Sequence, residues 1–488
     1  MNAIKNVRVL YQKYKEMPVG VKASIWYTIC SIVQKCIVFL TLPIFTRLLT
    51  DYQYGQYSVY QSWMSIVIIF STLNLQYGSF DTAMVKFEDD RDTYISSIQG
   101  LCTILTLSMF VVYCIAPAFW NRIFKLPTIL MVAMFAEMLF TTVVAFWTNK
   151  ERFVYRYKPM IIVTIIISIL SPLVGLVGVM SVEEKGVARI LGNVVVYICI
   201  GSIFYVYHLI KGKKFYHREY WKYVLKFNVP LIPYYLSQMI FSQSDRIMID
   251  NLCGTDKVAL YSVAFQFSII LSFVTNAINS SFVPWTFGNI KKRIFEPIKR
   301  TSNMLVLMLA VMLILLVLFG PEAILILAGK KYYEAIWVIP PVAGSLLFLF
   351  LSQLSINVMF YFEDNISLVK GSIISAVLNV ALNSVCIQYF GYVAAGYTTL
   401  LCYIVFWICN VYYMNKACQR NIENYHNNML YDFSFLIKLS TVFVLILIAL
   451  TFTYPIIWIR YLLIGCILIG MFIYRNNMIE FLKVLKTK

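Results

Sequence analysis

Lys35 stands about midway along an apolar stretch, 23–46, and a charge at the centre of a membrane helix costs about 2.5–3.5 kcal/mol on the insertion scale. Such a cation persists where it binds an anion or pairs with an acid. Glu137, itself in the middle of the apolar stretch 127–148, is the acid that suits the pairing; otherwise it is a candidate for coupling to an ion. Arg47 and Arg246 lie at the outer ends of two apolar stretches, as interfacial anchors or as a paired cationic rim for an anion, and Asp245 beside Arg246 either neutralises it or couples to an ion. Lys150 and Arg152, at the inner end of 127–148, read as topology charges or as first contacts for an anionic cargo arriving from the cytoplasm.

Polar residues also recur at helical spacing inside apolar segments. Ser58, Ser62, Ser65, Thr72 and Gln76 form one stripe, and Ser262, Gln266, Asn276 and Ser280 a second. Tyr234, Gln238, Ser242 and Asp245 form a third, at i, i+4, i+8 and i+11. A polar group in hydrocarbon must face protein or water, so these stripes either line a water-filled cavity or bond helix to helix in a packed bundle. Of the 11 cysteines, ten lie in or beside apolar segments and none forms a CxxC pair. They read as packing residues, and neither a metal nor a cofactor is expected.

The elements that must position these groups are membrane helices. Of the 488 residues 60% are hydrophobic and 13% charged, against about a half and a quarter in soluble domains, which excludes a soluble enzyme. Hydropathy places fourteen spans, at 23–46, 53–75, 95–118, 127–148, 159–180, 187–210, 224–248, 257–282, 302–327, 334–358, 368–389, 392–414, 436–453 and 456–474. The first is too long for the apolar core of a signal peptide and is expected to remain as a helix. With both ends in the cytoplasm, inner segments carry 30 of the 41 Lys and Arg and outer segments 10, with Lys35 left in mid-span. Cytoplasmic loops are the ones enriched in Lys and Arg, so this count favours fourteen spans over twelve. The excess of basic residues therefore serves topology and is no sign of nucleic acid.

Tyr57-Ser58-Val59 matches Tyr261-Ser262-Val263 at an offset of 204, and Gly186-Val187-Ala188-Arg189-Ile190-Leu191 pairs with Gly396-Tyr397-Thr398-Thr399-Leu400-Leu401 at 210. These repeats imply two parallel six-helix lobes with a polar path between them, as in many transporters. The expected fold class is an all-α polytopic membrane protein of about 14 helices in two pseudo-symmetric lobes. The expected division is a cytoplasmic N-terminus (1–22), an N-lobe (23–214), a C-lobe (215–420), an added helix pair (421–475) and a cytoplasmic tail (476–488). No loop is long enough for a soluble catalytic or nucleotide-binding domain, and Gly320 to Lys330 lacks the P-loop spacing. Transport is the class that remains, and no enzyme is expected.

The segments Leu42-Pro43-Ile44-Phe45-Thr46-Arg47-Leu48-Leu49-Thr50, Tyr54-Gly55-Gln56-Tyr57-Ser58 and Ser242-Gln243-Ser244-Asp245-Arg246-Ile247-Met248-Ile249 resemble the Wzx-type polysaccharide flippases. Those belong to the superfamily that also holds the multidrug and toxic-compound exporters. The resemblance implies a multi-pass carrier of the bacterial inner membrane. It would move undecaprenyl-diphosphate-linked oligosaccharide units of O-antigen or capsule from the cytoplasmic to the outer leaflet by alternating access. It further implies cations lining a cavity, onto which Arg47 and Arg246 map, and coupling to a proton or sodium gradient. Membrane lipids and the polysaccharide polymerase or chain-length machinery are the partners it implies. A drug exporter, a flippase of another lipid-linked wall precursor and a noncatalytic scaffold are the alternatives. The deep basic charge in the first span speaks against the drug exporter and the scaffold.

Overall fold

The computed structural model describes residues 16–76, 79–268, 270–423, 425 and 429–473. The basic N-terminal residues up to Lys15, the tail 476–488 and the side chain of Ser280 lie outside the described residues. The chain divides into two compact units, Met1–Leu236 and Ser237–Lys488. The first carries α1 (Val19–Leu48), α2 (Asp51–Thr72), α3 (Ser79–Lys86), α4 (Arg91–Ile115), α5 (Pro117–Phe124), α6 (Thr128–Phe153), α7 (Tyr157–Ser181), α8 (Lys185–Gly212) and α9 (Arg218–Asn228); α10 (Ile232–Leu252) begins in it and runs on into the second. The second continues with α11 (Thr255–Ser268), α12 (Ile270–Lys291), α13 (Glu296–Leu318), α14 (Gly320–Leu327), α15 (Ile339–Tyr361), α16 (Asn365–Phe390), α17 (Ala394–Asn421), α18 (Phe433–Thr451) and α19 (Ile457–Ile473).

Helices occupy all fourteen expected spans, with no strand among the described residues. Eleven helical segments are long and apolar enough to cross a membrane, so the chain is a polytopic all-α membrane protein. Three expected places are not among the eleven. α2 has the length but carries Gln53, Gln56, Ser58, Gln61, Ser62 and Ser65. α19 is described over 17 residues, as far as Ile473. The span expected at 224–248 is broken: α9 ends at Asn228, a 3-10 turn covers Val229–Leu231, and α10 starts at Ile232. Pro230 and Pro233 explain the break, since a proline has no N–H and its ring clashes with the preceding turn. The stretch 302–327 is likewise divided between α13 and α14, with Pro321 in the first turn of α14, where its missing donor costs nothing.

In the first unit, α6 packs along α8, and Met134, Met138, Ile190 and Val194 close around the fully buried Tyr60 of α2. α7 lies against α8 at backbone distance. A Cβ added to Gly192 would come 2.4 Å from the Gly175 Cα, the close approach that small residues permit between membrane helices. α9, expected at the start of the C-lobe, packs in the first unit: Tyr220 and Val224 join Phe80, Tyr94, Ile98 and Phe146 in one cluster. Tyr220 donates to Asp90, and burial together with that bond pushes its hydroxyl pKa up. In the second unit α15 is the central, largely buried helix and packs along α17. Gly396 makes that packing close, its missing Cβ falling 2.9 Å from Pro341 Cγ.

Candidate functional site

The Leu42–Thr50 motif forms the corner between α1 and α2. Thr50 caps α2, its hydroxyl accepting from Gln53 N at 3.2 Å while Gln53 Oε1 accepts from Thr50 N at 3.1 Å, a reciprocal pair that fixes where the second helix starts. Arg47 is exposed on the last turn of α1, and Lys35 is exposed three turns earlier on the same helix.

Glu137 is buried on α6. Its two oxygens accept from Tyr60 of α2, at 2.6 Å, and from the Asn193 amide of α8. The acid is thus held between three helices, and its described bonds are not to Lys35. Asn193 also lines a cavity of about 420 Å³ inside this unit, walled by α1, α2, α6, α7 and α8. Arg189, one turn before Asn193, projects into it with its guanidinium 4.0 Å from the Phe45 ring centre and 5.1 Å from that of Tyr57. Gln34 of α1 crosses to Ser168 of α7 at 3.2 Å.

The second unit holds its own buried acid. Asp245 on α10 accepts from Tyr261 of α11 at 2.5 Å, from Asn383 of α16 at 2.7 Å and from Thr399 of α17 at 2.8 Å. Thr398 donates in turn to Asn383, and Asn379 accepts from Ser244 at 2.7 Å. The Arg246 guanidinium lies 5.9 Å from the ring centre of Tyr261, a member of this cluster. It bonds the Ser242 carbonyl at 3.2 Å and Gln243 Oε1 at 3.1 Å, and lies 4.4 Å over the Phe265 ring.

The polar stripes resolve differently from one another. Ser58, Ser62, Ser65 and Thr72 each donate to the carbonyl four residues back, at 2.8–3.1 Å, so their hydroxyls are satisfied within α2. Gln76 accepts at its carbonyl from Asn149. On α10, Gln238 donates to Ser372 at 2.6 Å and Ser242 to the Met239 carbonyl at 3.2 Å, so Gln238 and Asp245 serve interhelical bonds. Gln266 and Asn276 are exposed. Lys150 pairs with Asp92 of α4, whereas Arg152 is exposed and accepts from Tyr27 at its carbonyl.

Sequence reasoning missed Tyr60, Asn193, Asn383 and the role of Arg189, which it counted among the topology charges. The signal was present in the glycine repeat, where Arg189 and Thr399 hold the same position: each stands in its unit's polar cluster. Among the described residues no three His, Cys, Asp or Glu group as a metal site would require.

Residues 21–289 match the family model described as polysaccharide biosynthesis protein, which is more than half of the 488 residues. The chain belongs to that family. This bears out the resemblance to the Wzx-type exporters seen in the motifs. A protein of the Lsg locus of Haemophilus influenzae is 23% identical to this polysaccharide biosynthesis protein over 376 residues, 74% of this chain and 89% of that one. Among solved structures, the lipid II flippase MurJ in an inward closed conformation overlays with a TM-score of 0.70 at 12% identity, covering 93% of this chain and 100% of that one. An inward-facing multidrug resistance transporter of the MATE family overlays at 0.55 and 15% identity, covering 82% and 99%. At these identities the likeness is one of fold.

Proposed function

We propose that this protein is a flippase for a lipid-linked oligosaccharide, moving undecaprenyl-diphosphate-linked repeat units from the cytoplasmic to the outer leaflet of a bacterial inner membrane by alternating access. One observation carries the reading: a chain of the polysaccharide biosynthesis family has the fold of a solved lipid II flippase along 93% of its length. The physics of the task fits. A diphosphate with attached sugars cannot cross about 30 Å of hydrocarbon without partners, because its charges and hydroxyls would all lose water. Lys35 and Arg47, exposed along α1, are the cations assigned to the diphosphate. Arg246, packed on Phe265, is assigned to holding α10 against α11. Glu137 and Asp245, each buried and each bonded to several helices, are assigned to ion coupling. The distribution of Lys and Arg supports termini on the cytoplasmic side.

Deletion of the gene, followed by mass spectrometry of lipid-linked saccharides and an outside-only glycosidase on spheroplasts, tests the reading. Complete units trapped on the inner leaflet, with surface polysaccharide lost, support it. Normal pools and intact surface polysaccharide overturn it, and drug accumulation then becomes the assay.

A further inference from the structure

The segment 211–229 leaves the end of α8, forms α9 and reaches the break before α10. It carries six cations, Lys211, Lys213, Lys214, Arg218, Lys222 and Lys226, against one acid, Glu219. Two glycines and three side-chain bonds fasten it to the rest of the first unit. A Cβ on Gly100 of α4 would collide with the Phe215 carbonyl, and one on Gly212 with the Asp92 carbonyl, so backbone lies directly on backbone at both places. Tyr220 donates to Asp90, Trp221 Nε1 to the Ser97 carbonyl at 2.9 Å, and the Asn228 amide to the Leu73 carbonyl at 3.2 Å. Tyr220, Val224 and Asn228 form the buried face of α9, and the opposite face is thereby held in one orientation.

All six cations are exposed. None of them makes an ion pair among the described residues, though Lys214 stands within electrostatic reach of Asp90. Neighbouring cations do have partners: Lys150 pairs with Asp92, Arg91 with Glu88, and Lys86 lies over the Tyr223 ring. Phe215, Tyr216, Phe227 and Val229 are exposed between the six cations. α9 packs on Tyr94 and Ile98 in the first turns of the spanning helix α4, and the segment follows directly from the spanning helix α8. It therefore lies where hydrocarbon gives way to headgroups, the level at which amphipathic helices set cations and aromatic rings.

We infer that 211–229 is a binding site for anionic phospholipid headgroups, with its cations on the phosphates and Phe215, Tyr216 and Phe227 reaching toward the acyl chains. Clustered juxtamembrane Lys and Arg attract anionic headgroups, and lipid already stands at this level, whereas an acidic protein would have to displace it to cover the aromatic rings. Topology alone asks for cations on one side of the membrane, not for a clamped backbone or exposed aromatic residues. The stretch 291–300 supplies the comparison. It has five cations, but Arg293 and Lys299 pair with Glu423 and Glu296, and its one aromatic residue, Phe295, is buried. The inference concerns a lipid that stays at the protein and is independent of the flippase reading.

The test uses the full-length protein in phosphatidylcholine vesicles that contain a minor share of phosphatidylglycerol with a photoreactive group beside its headgroup; crosslinked peptides are mapped by mass spectrometry. Labelling of 211–229 is expected to exceed that of 291–300 about tenfold, as summed charge attraction implies, and to fall severalfold at high salt. A photoreactive phosphatidylcholine is expected to label the two stretches alike. Combining Lys213→Gln, Lys214→Gln, Lys222→Gln and Lys226→Gln removes most of the preference, while Tyr216→Ala with Phe227→Ala weakens labelling and keeps its salt dependence. Equal labelling of the two stretches by phosphatidylglycerol, which needs no variant to observe, overturns the inference. So does labelling of 211–229 as strong from phosphatidylcholine, or a preference that survives the fourfold substitution. Inorganic phosphate that suppresses labelling as well as unlabelled phosphatidylglycerol does would mark a free-phosphate site and also overturn it.

Discussion

The Tyr261 hydroxyl donates to the Asp245 carboxylate at 2.5 Å, joining α11 to α10 within the buried interior of the second unit. The same carboxylate takes bonds from α16 and α17, so one acid fastens four helices. Tyr261→Phe leaves the acid with its other donors and is expected to cost about 1–3 kcal/mol. Asp245→Ala strands three donors at once and is expected to cost more. Melting of the detergent-solubilised variants checks the order; equal melting of both variants and the parent would contradict it.

Glu137 is the corresponding acid of the first unit, with fewer donors. Glu137→Gln preserves its length and, through rotation of the Tyr60 hydroxyl, much of its bonding. The variant is expected to fold while its cargo transport no longer responds to collapse of the proton or sodium gradient. Transport that keeps the parental gradient response would make the acid a structural member of the α2–α6–α8 contact.

An ion pair between the buried Arg460 and the partly exposed Glu322 ties α19 to α14. Arg460 bonds Glu322 at 2.8 Å and the Leu318 carbonyl at 3.2 Å, with its side chain 3% exposed. Glu322→Ala leaves a buried arginine without its acid, a loss of about 3–5 kcal/mol for a pair broken on one side. The double variant Glu322→Ala with Arg460→Leu is expected to recover part of that loss, because the stranded charge is gone. A double variant less stable than Glu322→Ala would contradict this account of the pair.

Gly192→Ala places a methyl 2.4 Å from backbone of α7, whereas Gly178→Ala meets its neighbours at an ordinary 3.4 Å. Folded yield by fluorescence-detected size exclusion is therefore expected to fall several-fold for the first and to stay near parental for the second. A normal yield of Gly192→Ala would show that α7 and α8 can separate without loss.

Much of this architecture was legible from hydropathy, because apolar length and the alternation of basic loops act residue by residue along the chain. The fourteen helical places followed from it, and the breaks at Pro230, Pro233 and Pro321 mark where one apolar run becomes two elements. The polar groups were less legible. A stripe such as Ser58, Ser62, Ser65 and Thr72 has the spacing of a cavity wall, yet each hydroxyl turns back to its own helix, a choice that spacing cannot reveal. Arg189 counted as an outer charge because nothing in sequence shows that Gly175, on the neighbouring helix, makes room for it. Tyr60 and Asn193 became visible as partners of Glu137 only when α2, α6 and α8 were brought together.

The central claim is movement of a lipid-linked saccharide, and reconstitution measures it most directly. Proteoliposomes loaded with a fluorescent undecaprenyl-diphosphate oligosaccharide in both leaflets would be treated with a membrane-impermeant glycosidase. With this protein present, the account predicts that cleavage passes the outer-leaflet share and goes to completion, and that Lys35→Ala with Arg47→Ala stops it near the level of protein-free vesicles. Cleavage that halts at the outer-leaflet share with the parental protein, under an imposed proton or sodium gradient, would contradict the account.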